Sequence, residues 1–231
     1  MDLTRKNILI IGASHGIGAA TASLAASRGA TVYQASRTAQ GPNTAQIDAS
    51  QPFTFPEGFL PDQLHGLVYC PGSINLKPAT TLKPEALAEE FNLNVVGAFR
   101  ALQQSLKALK RGGNGSVVFF GTVAAKLGMP FHTGIAAAKG GLEAMARSLA
   151  AELASSQIRV NVVAPSLTDT PLAAHLLDSE EKKAGGAKRH PLGRVGTPQD
   201  LAEATCYLLA DASGWVTGQT LGVDGGMGSL K

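Results

Sequence analysis

The chain has 231 residues, 44% of them hydrophobic and 16% charged, enough to bury one large core, and nothing resembling an interdomain linker interrupts it. Its 20 Lys and Arg stand against 17 Asp and Glu and are scattered apart from short clusters such as Lys182-Lys183 and Lys188-Arg189, which argues against a nucleic-acid-binding stripe. Cys70 and Cys206 make neither a disulfide framework nor a metal cluster, and no apolar run reaches the roughly 18 residues that span a membrane. With a first strand beginning by about Asn7, no signal peptide is expected, and a cytoplasmic location with no membrane partner is the corresponding expectation.

Residues 6–24, KNILIIGASHGIGAATASL, read as a buried strand at 8–11, a glycine turn (Gly12, Gly16, Gly18) and a helix that starts at once on Ala19, Ala20 and Leu24. A helix N-terminus presents unpaired N–H groups and a positive dipole, and glycine holds nothing away from the backbone, so a diphosphate fits there. Any turn that needs positive φ uses glycine too, so this stretch alone leaves a nucleotide seat and a plain turn both open.

The helix closes at Arg28-Gly29, and strands are expected at 31–35, at 45–47 before Asp48, and at 67–70. Only a loop joins the second strand to the third, and the three prolines of QPFTFPEGFLPDQLHG oppose a long helix before the fourth. Pro84 opens a long helix that should end near Lys110, before Gly112-Gly113, and 116–120 is a continuously apolar fifth strand. A small-residue helix over about 133–154 leads to a strand at 159–164, which Pro165 ends. Residues 166–196 mix prolines, glycines and charges with a brief helical pattern around 172–177 and read as a mobile lid. Thr197 caps a helix with Pro198 at its first position and Asp200 at its third, and a last strand at 220–223 precedes Asp224-Gly225-Gly226. Such alternation predicts an α/β fold: a single domain with a doubly wound parallel sheet and ligands beyond the carboxyl ends of its strands.

Gly12-Ala13-Ser14-His15-Gly16-Ile17-Gly18 resembles the cofactor turn of the short-chain dehydrogenase/reductase family, and further motifs stand in family order along the chain. Asp48 matches the acid that meets the adenine, and Asn94-Val95-Val96-Gly97 resembles the helix motif with the active-site asparagine. Pro165-Ser166 resembles the nicotinamide-side Pro-Gly turn, and residues 217–226 the final strand. The resemblance covers nearly the whole chain and implies a Rossmann-type fold. It also implies cofactor contacts from Gly12, Ser14, His15, Gly16, Ile17, Gly18, Ser36, Arg37, Asp48, Gly72, Lys139, Pro165, Thr168 and Thr170.

There are departures. Ile11 stands where the family has Thr, Tyr69-Cys70-Pro71-Gly72 replaces Asn-Asn-Ala-Gly, and the usual helix between the second and third strands is missing. In the active site, the family's Ser and Tyr-x-x-x-Lys become Thr122 and Ile135-Ala136-Ala137-Ala138-Lys139. Thr122 keeps a hydroxyl and Lys139 keeps the amine that in the family grips the nicotinamide ribose, but Ile135 can neither give nor take a proton. Losing general acid–base help slows hydride transfer without forbidding it. None of the three tyrosines, Tyr33, Tyr69 and Tyr207, lies near Ile135 in sequence, and Tyr69 occupies a position expected near the adenosine ribose. His132, three positions before Ile135, is either a replacement proton donor or a histidine at the cleft rim.

The resemblance thus implies an atypical oxidoreductase acting on a small-molecule carbonyl or secondary alcohol, with Asn94, Thr122, Lys139 and His132 as its catalytic candidates. The competing reading is a nucleotide-binding family member that has lost turnover and serves as a sensor or inert partner. NADP(H) is expected over NAD(H): family members that use NAD carry an acid where Ser36 ends the second strand, whereas here Arg37 comes next and His15 is in the turn. The two long helices, as in family members that pair them with their copies, imply a homodimer or homotetramer.

Overall fold

The computed structural model describes residues 1–230. Seven strands form one parallel sheet: β1 (Asn7–Ile11), β2 (Thr31–Ser36), β3 (Thr44–Gln46), β4 (Gly66–Tyr69), β5 (Ser116–Phe120), β6 (Arg159–Pro165) and β7 (Thr220–Val223), in the order β3-β2-β1-β4-β5-β6-β7. The helices are α1 (Gly16–Ser27), α2 (Pro84–Phe91), α3 (Gly97–Gly112), α4 (Thr133–Leu153), α5 (Glu180–Lys188) and α6 (Pro198–Leu209). This is the single-domain, doubly wound Rossmann-type architecture expected from the alternation of patterns.

The strands are apolar on both faces because both faces are covered. Ile8 and Ile10 of β1, with Val68, Val118 and Val163, pack toward Ala22 and Ala25 of α1 and Leu201, Leu208 and Leu209 of α6. Leu9, Ile11, Leu67, Val117 and Val162 face the other way, onto Leu102 and Leu109 of α3 and Leu142, Leu149 and Leu153 of α4. The alternation within one strand therefore assigns each neighbouring residue to a different layer. Thr197 starts α6 with the expected capping box: its hydroxyl accepts from the Asp200 N–H, and the Asp200 carboxylate accepts from the Thr197 N–H.

No helix stands between β2 and β3 or between β3 and β4. In the second gap Phe53, Phe55 and Phe59 form an aromatic cluster that packs against Tyr33 and closes the α3 side of the core. The strands otherwise begin or end within two residues of their expected limits.

Two expectations need correction. The long helix opened by Pro84 is not uniform, because residues Asn92–Val96 form a π-helical turn between α2 and α3. Sequence periodicity cannot show one inserted residue in a helix whose flanks both remain helical. The segment 166–196 also holds more structure than a brief helical pattern: a 3₁₀ turn at Pro171–Leu176 and the helix α5. Helix α5 has no apolar stripe to betray it. Its start is set by the Ser179 hydroxyl, which accepts from the Lys182 N–H, and by the Asp178–Lys182 and Glu180–Lys183 pairs.

Candidate active site

At the carboxyl end of β1, Gly12 and Gly16 take φ of 79° and 55°, which glycine adopts freely. A Cβ on Gly18 would strike the Gly12 carbonyl oxygen, so α1 starts directly on the strand. His15 is the N-cap of α1 but makes no side-chain capping bond; its Nδ1 instead meets the Ser14 hydroxyl at 2.9 Å. No side chain caps the first N–H groups of α1, and such donors, with the helix dipole, suit a diphosphate.

Beside this turn opens a cleft of about 250 Å³. Its walls include Ile17 of α1, Cys70, Gly72 and Ser73 after β4, Thr122 after β5, His132, Ile135 and Lys139 of the α4 region, and Pro165, Thr168 and Thr170 after β6. Leu167, Leu172, Leu176 and Arg189 of the segment 166–196 close it from above. The floor is polar: a Cβ on Gly72 would lie 3.5 Å from Asn94 Oδ1 and 3.6 Å from Lys139 Nζ. Lys139 is 7% exposed, and desolvation pushes its amine down to about 8, with Cys70 and Glu90 acting in the opposite direction. Burial pushes the Cys70 thiol up to about 12.

Asn94 lies in the π-helical turn and is fully buried. Its Nδ2 donates to the Glu90 carbonyl at 2.8 Å and to Glu90 Oε2 at 3.2 Å, and since both neighbours are acceptors the orientation of the amide is settled. Oδ1 is left as a buried acceptor without a partner, aimed at the Gly72 floor. Thr122 Oγ1 accepts from the Ala124 N–H at 3.3 Å, which leaves its own proton free for a ligand. His132 is the N-cap of α4; its Nδ1 donates to the Pro130 carbonyl at 2.7 Å, so Nε2 is the nitrogen left for the cleft. Ile135 is buried in the wall between them.

On the far side of the glycine turn, Ser36 is buried at the end of β2 and Arg37 beside it is exposed. Asp48 is held below the usual carboxylate range first by the hydroxyl and N–H of Ser50 and, more weakly, by Arg37. Tyr69 departs from its expected place beside the adenosine ribose. It is 1% exposed, belongs to the α3 face of the sheet, and donates to the Leu93 carbonyl at 2.6 Å. Strand parity decides this, since Tyr69 shares its face with Leu67 and not with the end of the cleft.

The family profile described as enoyl-(acyl carrier protein) reductase matches residues 57–228. The 3-oxoacyl-[acyl-carrier-protein] reductase FabG of Thermotoga maritima is 31% identical over 98% of this chain and 99% of its own. The chain belongs to the short-chain dehydrogenase/reductase family. Members of this family are oxidoreductases that bind NAD(P) and act on small molecules. A protein of Xanthobacter autotrophicus named inactive 2-(S)-hydroxypropyl-CoM dehydrogenase 2 is 36% identical over 72% of this chain and 74% of its own. Among solved structures, one described as an NAD(P)-dependent gluconate 5-dehydrogenase of Beutenbergia cavernae, with NADP at low occupancy, superimposes with a TM-score of 0.88 over 98% of both chains, at 27% identity.

Within this family frame the structure adds groups that motif reading passed over. Glu90 stands against Asn94 and Ser73 against Glu90, Arg189 reaches the cleft, and His190 is 4% exposed with Nδ1 donating to the Gly186 carbonyl and Nε2 2.9 Å from the Ser166 hydroxyl. His190 thereby ties the overlying segment to the end of β6. Glu90 had a signal in sequence, since it falls one helical turn before Asn94, but only the fold shows that this places it inside. Among the described residues no cluster of His, Cys, Asp and Glu could hold a metal, and no helix is long and apolar enough to cross a membrane.

The depressed Lys139 value has a consequence for stability. Below about pH 8 the folded protein carries the full cost of a buried ammonium, and between about 8 and the ordinary lysine value the native state loses its proton before the unfolded state does. Parent stability should therefore rise relative to Lys139→Met by about 2 kcal/mol between pH 7 and pH 9.5 in urea unfolding. A pH-independent difference between the two proteins would show that Lys139 ionises normally.

Proposed function

We propose that the chain is an NADP(H)-dependent oxidoreductase of a carbonyl or secondary alcohol, with an atypical route for the proton. The observation that carries this reading is the floor of the cleft, where Lys139 Nζ and the unpartnered Asn94 Oδ1 flank Gly72 while Thr122 stands in the wall. A bound nicotinamide would supply or accept the hydride. The Lys139 ammonium holds the ribose, Gly12, Ser14, His15, Gly16, Ile17 and Gly18 seat the diphosphate, and Gly72, Pro165, Thr168 and Thr170 border the nicotinamide half. Thr122 donates to the substrate oxygen, Asn94 Oδ1 holds a water or the substrate, and His132 Nε2 lies at the cleft as one proton source.

Arg37 beside Ser36 supports a 2′-phosphate, which an acid at the end of β2 would repel, and Asp48 marks the adenine end. In fluorescence titrations NADPH should bind more tightly than NADH, and Arg37→Ala should lose at least about tenfold of that preference, the equivalent of one charge-assisted contact. Equal affinity for the two nucleotides in the parent would defeat the assignment.

The second reading, a family member with weak or no turnover that acts as a sensor or partner subunit, is favoured by Ile135 standing buried where a phenol belongs. One substitution separates the two. In the enzyme reading Ile135→Tyr should raise turnover on some carbonyl by at least about tenfold, short of the full 10²- to 10⁴-fold because the pocket must first admit a ring. A parent and variant that both bind NADPH and turn nothing over would establish the binding protein instead.

Assembly as a homodimer or homotetramer is supported by Leu87 and Phe91 of α2, Val96 of the π-helical turn and Phe99 of α3, each between 36% and 42% exposed. Such apolar side chains along one helical unit suit a second copy of the same surface. Sedimentation at micromolar concentration should give a dimer or larger species, and a monomer would count against it.

A further inference from the structure

We propose that Ser73 and Glu90 form the proton path of this site, in place of the phenol that Ile135 displaces. The inference rests on the oxidoreductase reading above. Glu90, in the last turn of α2, is 5% exposed. A carboxylate is buried so deeply only with partners, and here they are the groups of the cleft itself: the Ser73 hydroxyl donates to Oε2 in a very short bond, Asn94 Nδ2 donates to the same oxygen at 3.2 Å, and the Lys139 ammonium is electrostatically supported by it. The arm of Glu90 also lies against the start of α4, with Cγ 3.7 Å from where a Cβ on Gly134 would stand, one residue before Ile135.

Position makes this pair a conduit. Ser73 lines the active cleft and also a second, outer cleft, and Glu90 lines the outer one together with Ser50, Glu89, Asn92 and Arg100. A proton can therefore pass from outer water to Glu90, from Glu90 to Ser73, and from Ser73 into the active cleft. Reduction of a carbonyl by a reduced nicotinamide dinucleotide leaves an alkoxide that must take up one proton. Once Glu90 has taken a proton from the outer cleft and its bond with Ser73 has reversed, so that the carboxyl donates and the serine oxygen accepts, the Ser73 O–H bond breaks as the alcohol O–H bond forms, directly or through one water, while the Ser73 oxygen takes the proton of the Glu90 carboxyl. The carboxylate left behind is reprotonated from the outer cleft, and oxidation of an alcohol runs the same transfers backwards. Ser73 is the group that meets the substrate; Glu90 acts through it. The other titratable groups around the pair are Lys139 and His132 of the α4 region, Cys70 at the end of β4, and Glu89 and Arg100 at the outer cleft.

Glu90→Gln keeps the volume and an acceptor for Ser73 and Asn94 but cannot carry a proton, so packing and proton transfer can be told apart. With NADPH and the best substrate of a carbonyl panel, Glu90→Gln and Ser73→Ala should each lower kcat at least about tenfold, with KM and NADPH affinity changed less than about twofold. The pH profile of kcat should differ between the parent and Glu90→Gln, Glu90→Asp should restore the parent's profile, and adding Ile135→Tyr to Glu90→Gln should recover the loss. Independently of turnover, the ε-carbon NMR titration of Lys139 in the nucleotide-free protein should move to lower pH in Glu90→Gln, because a supporting negative charge is gone. A parent that turns over while Glu90→Gln matches it in kcat and pH profile overturns the relay and leaves the oxidoreductase reading standing. A parent that binds NADPH and turns nothing over overturns both.

Discussion

Strand β1 is hydrogen-bonded to β2 along one edge and to β4 along the other, so the chain leaves β1 in one direction and later returns on its opposite side. At that reversal the loops beyond the two strands diverge, and the space between them cannot be filled by either. The floor and rim of the site are built there. Gly12 and Pro71, which come just after β1 and β4, approach so closely that a Cβ on Gly12 would lie 3.2 Å from the proline ring. The start of α1, the floor at Gly72 and the wall at Thr122 all take their places from strands aligned in register by the same ladder.

A second constraint is the π-helical turn between α2 and α3. An extra residue in a helix rotates the turns beyond it and loosens the local ladder, which is tolerated where a side chain must be aimed. Here it puts Asn94 inward with its amide held by Glu90, and the buried hydroxyl of Tyr69 ties the turn to the sheet through the Leu93 carbonyl. The cluster of Ser73, Glu90, Asn94 and Lys139 places two opposite charges and two hydrogen-bonding side chains within one low-dielectric region. Burying such groups is unfavourable unless their partners are well oriented, and that demand restricts each to one arrangement.

This arrangement separates the glycine turn and the polar floor from the side chain at position 135. The glycine turn is built from backbone, and the polar floor from Lys139 and Asn94 beside Gly72, with Thr122 in the wall. Ile135 is buried in the wall of the cleft and brings no titratable group to it. Any proton transfer in this cleft would fall to the other titratable groups that border it.

Much of this was legible in the amino-acid order. Strand positions came from short, continuously apolar runs between glycine and proline signals, the start of α6 from Thr197, Pro198 and Asp200, and the turn from β1 into α1 from glycines spaced between a strand and a helix. Those features are local, decided by residues within a few positions of one another. The features that the sequence left hidden are non-local or lack periodicity. Helix α5 carries no apolar stripe, the π-helical turn changes the count of a helix by a single residue, and the inward turn of Tyr69 depends on which face of the sheet α3 covers. The meeting of Ser73 with Glu90, 17 residues apart on a loop and a helix end, is likewise a product of how α2 lies across the end of the sheet. Local order determines which elements form, because helix, strand and turn propensities act over a few residues. Only the packing of those elements determines which buried polar groups find one another, because that depends on distances the linear sequence does not encode.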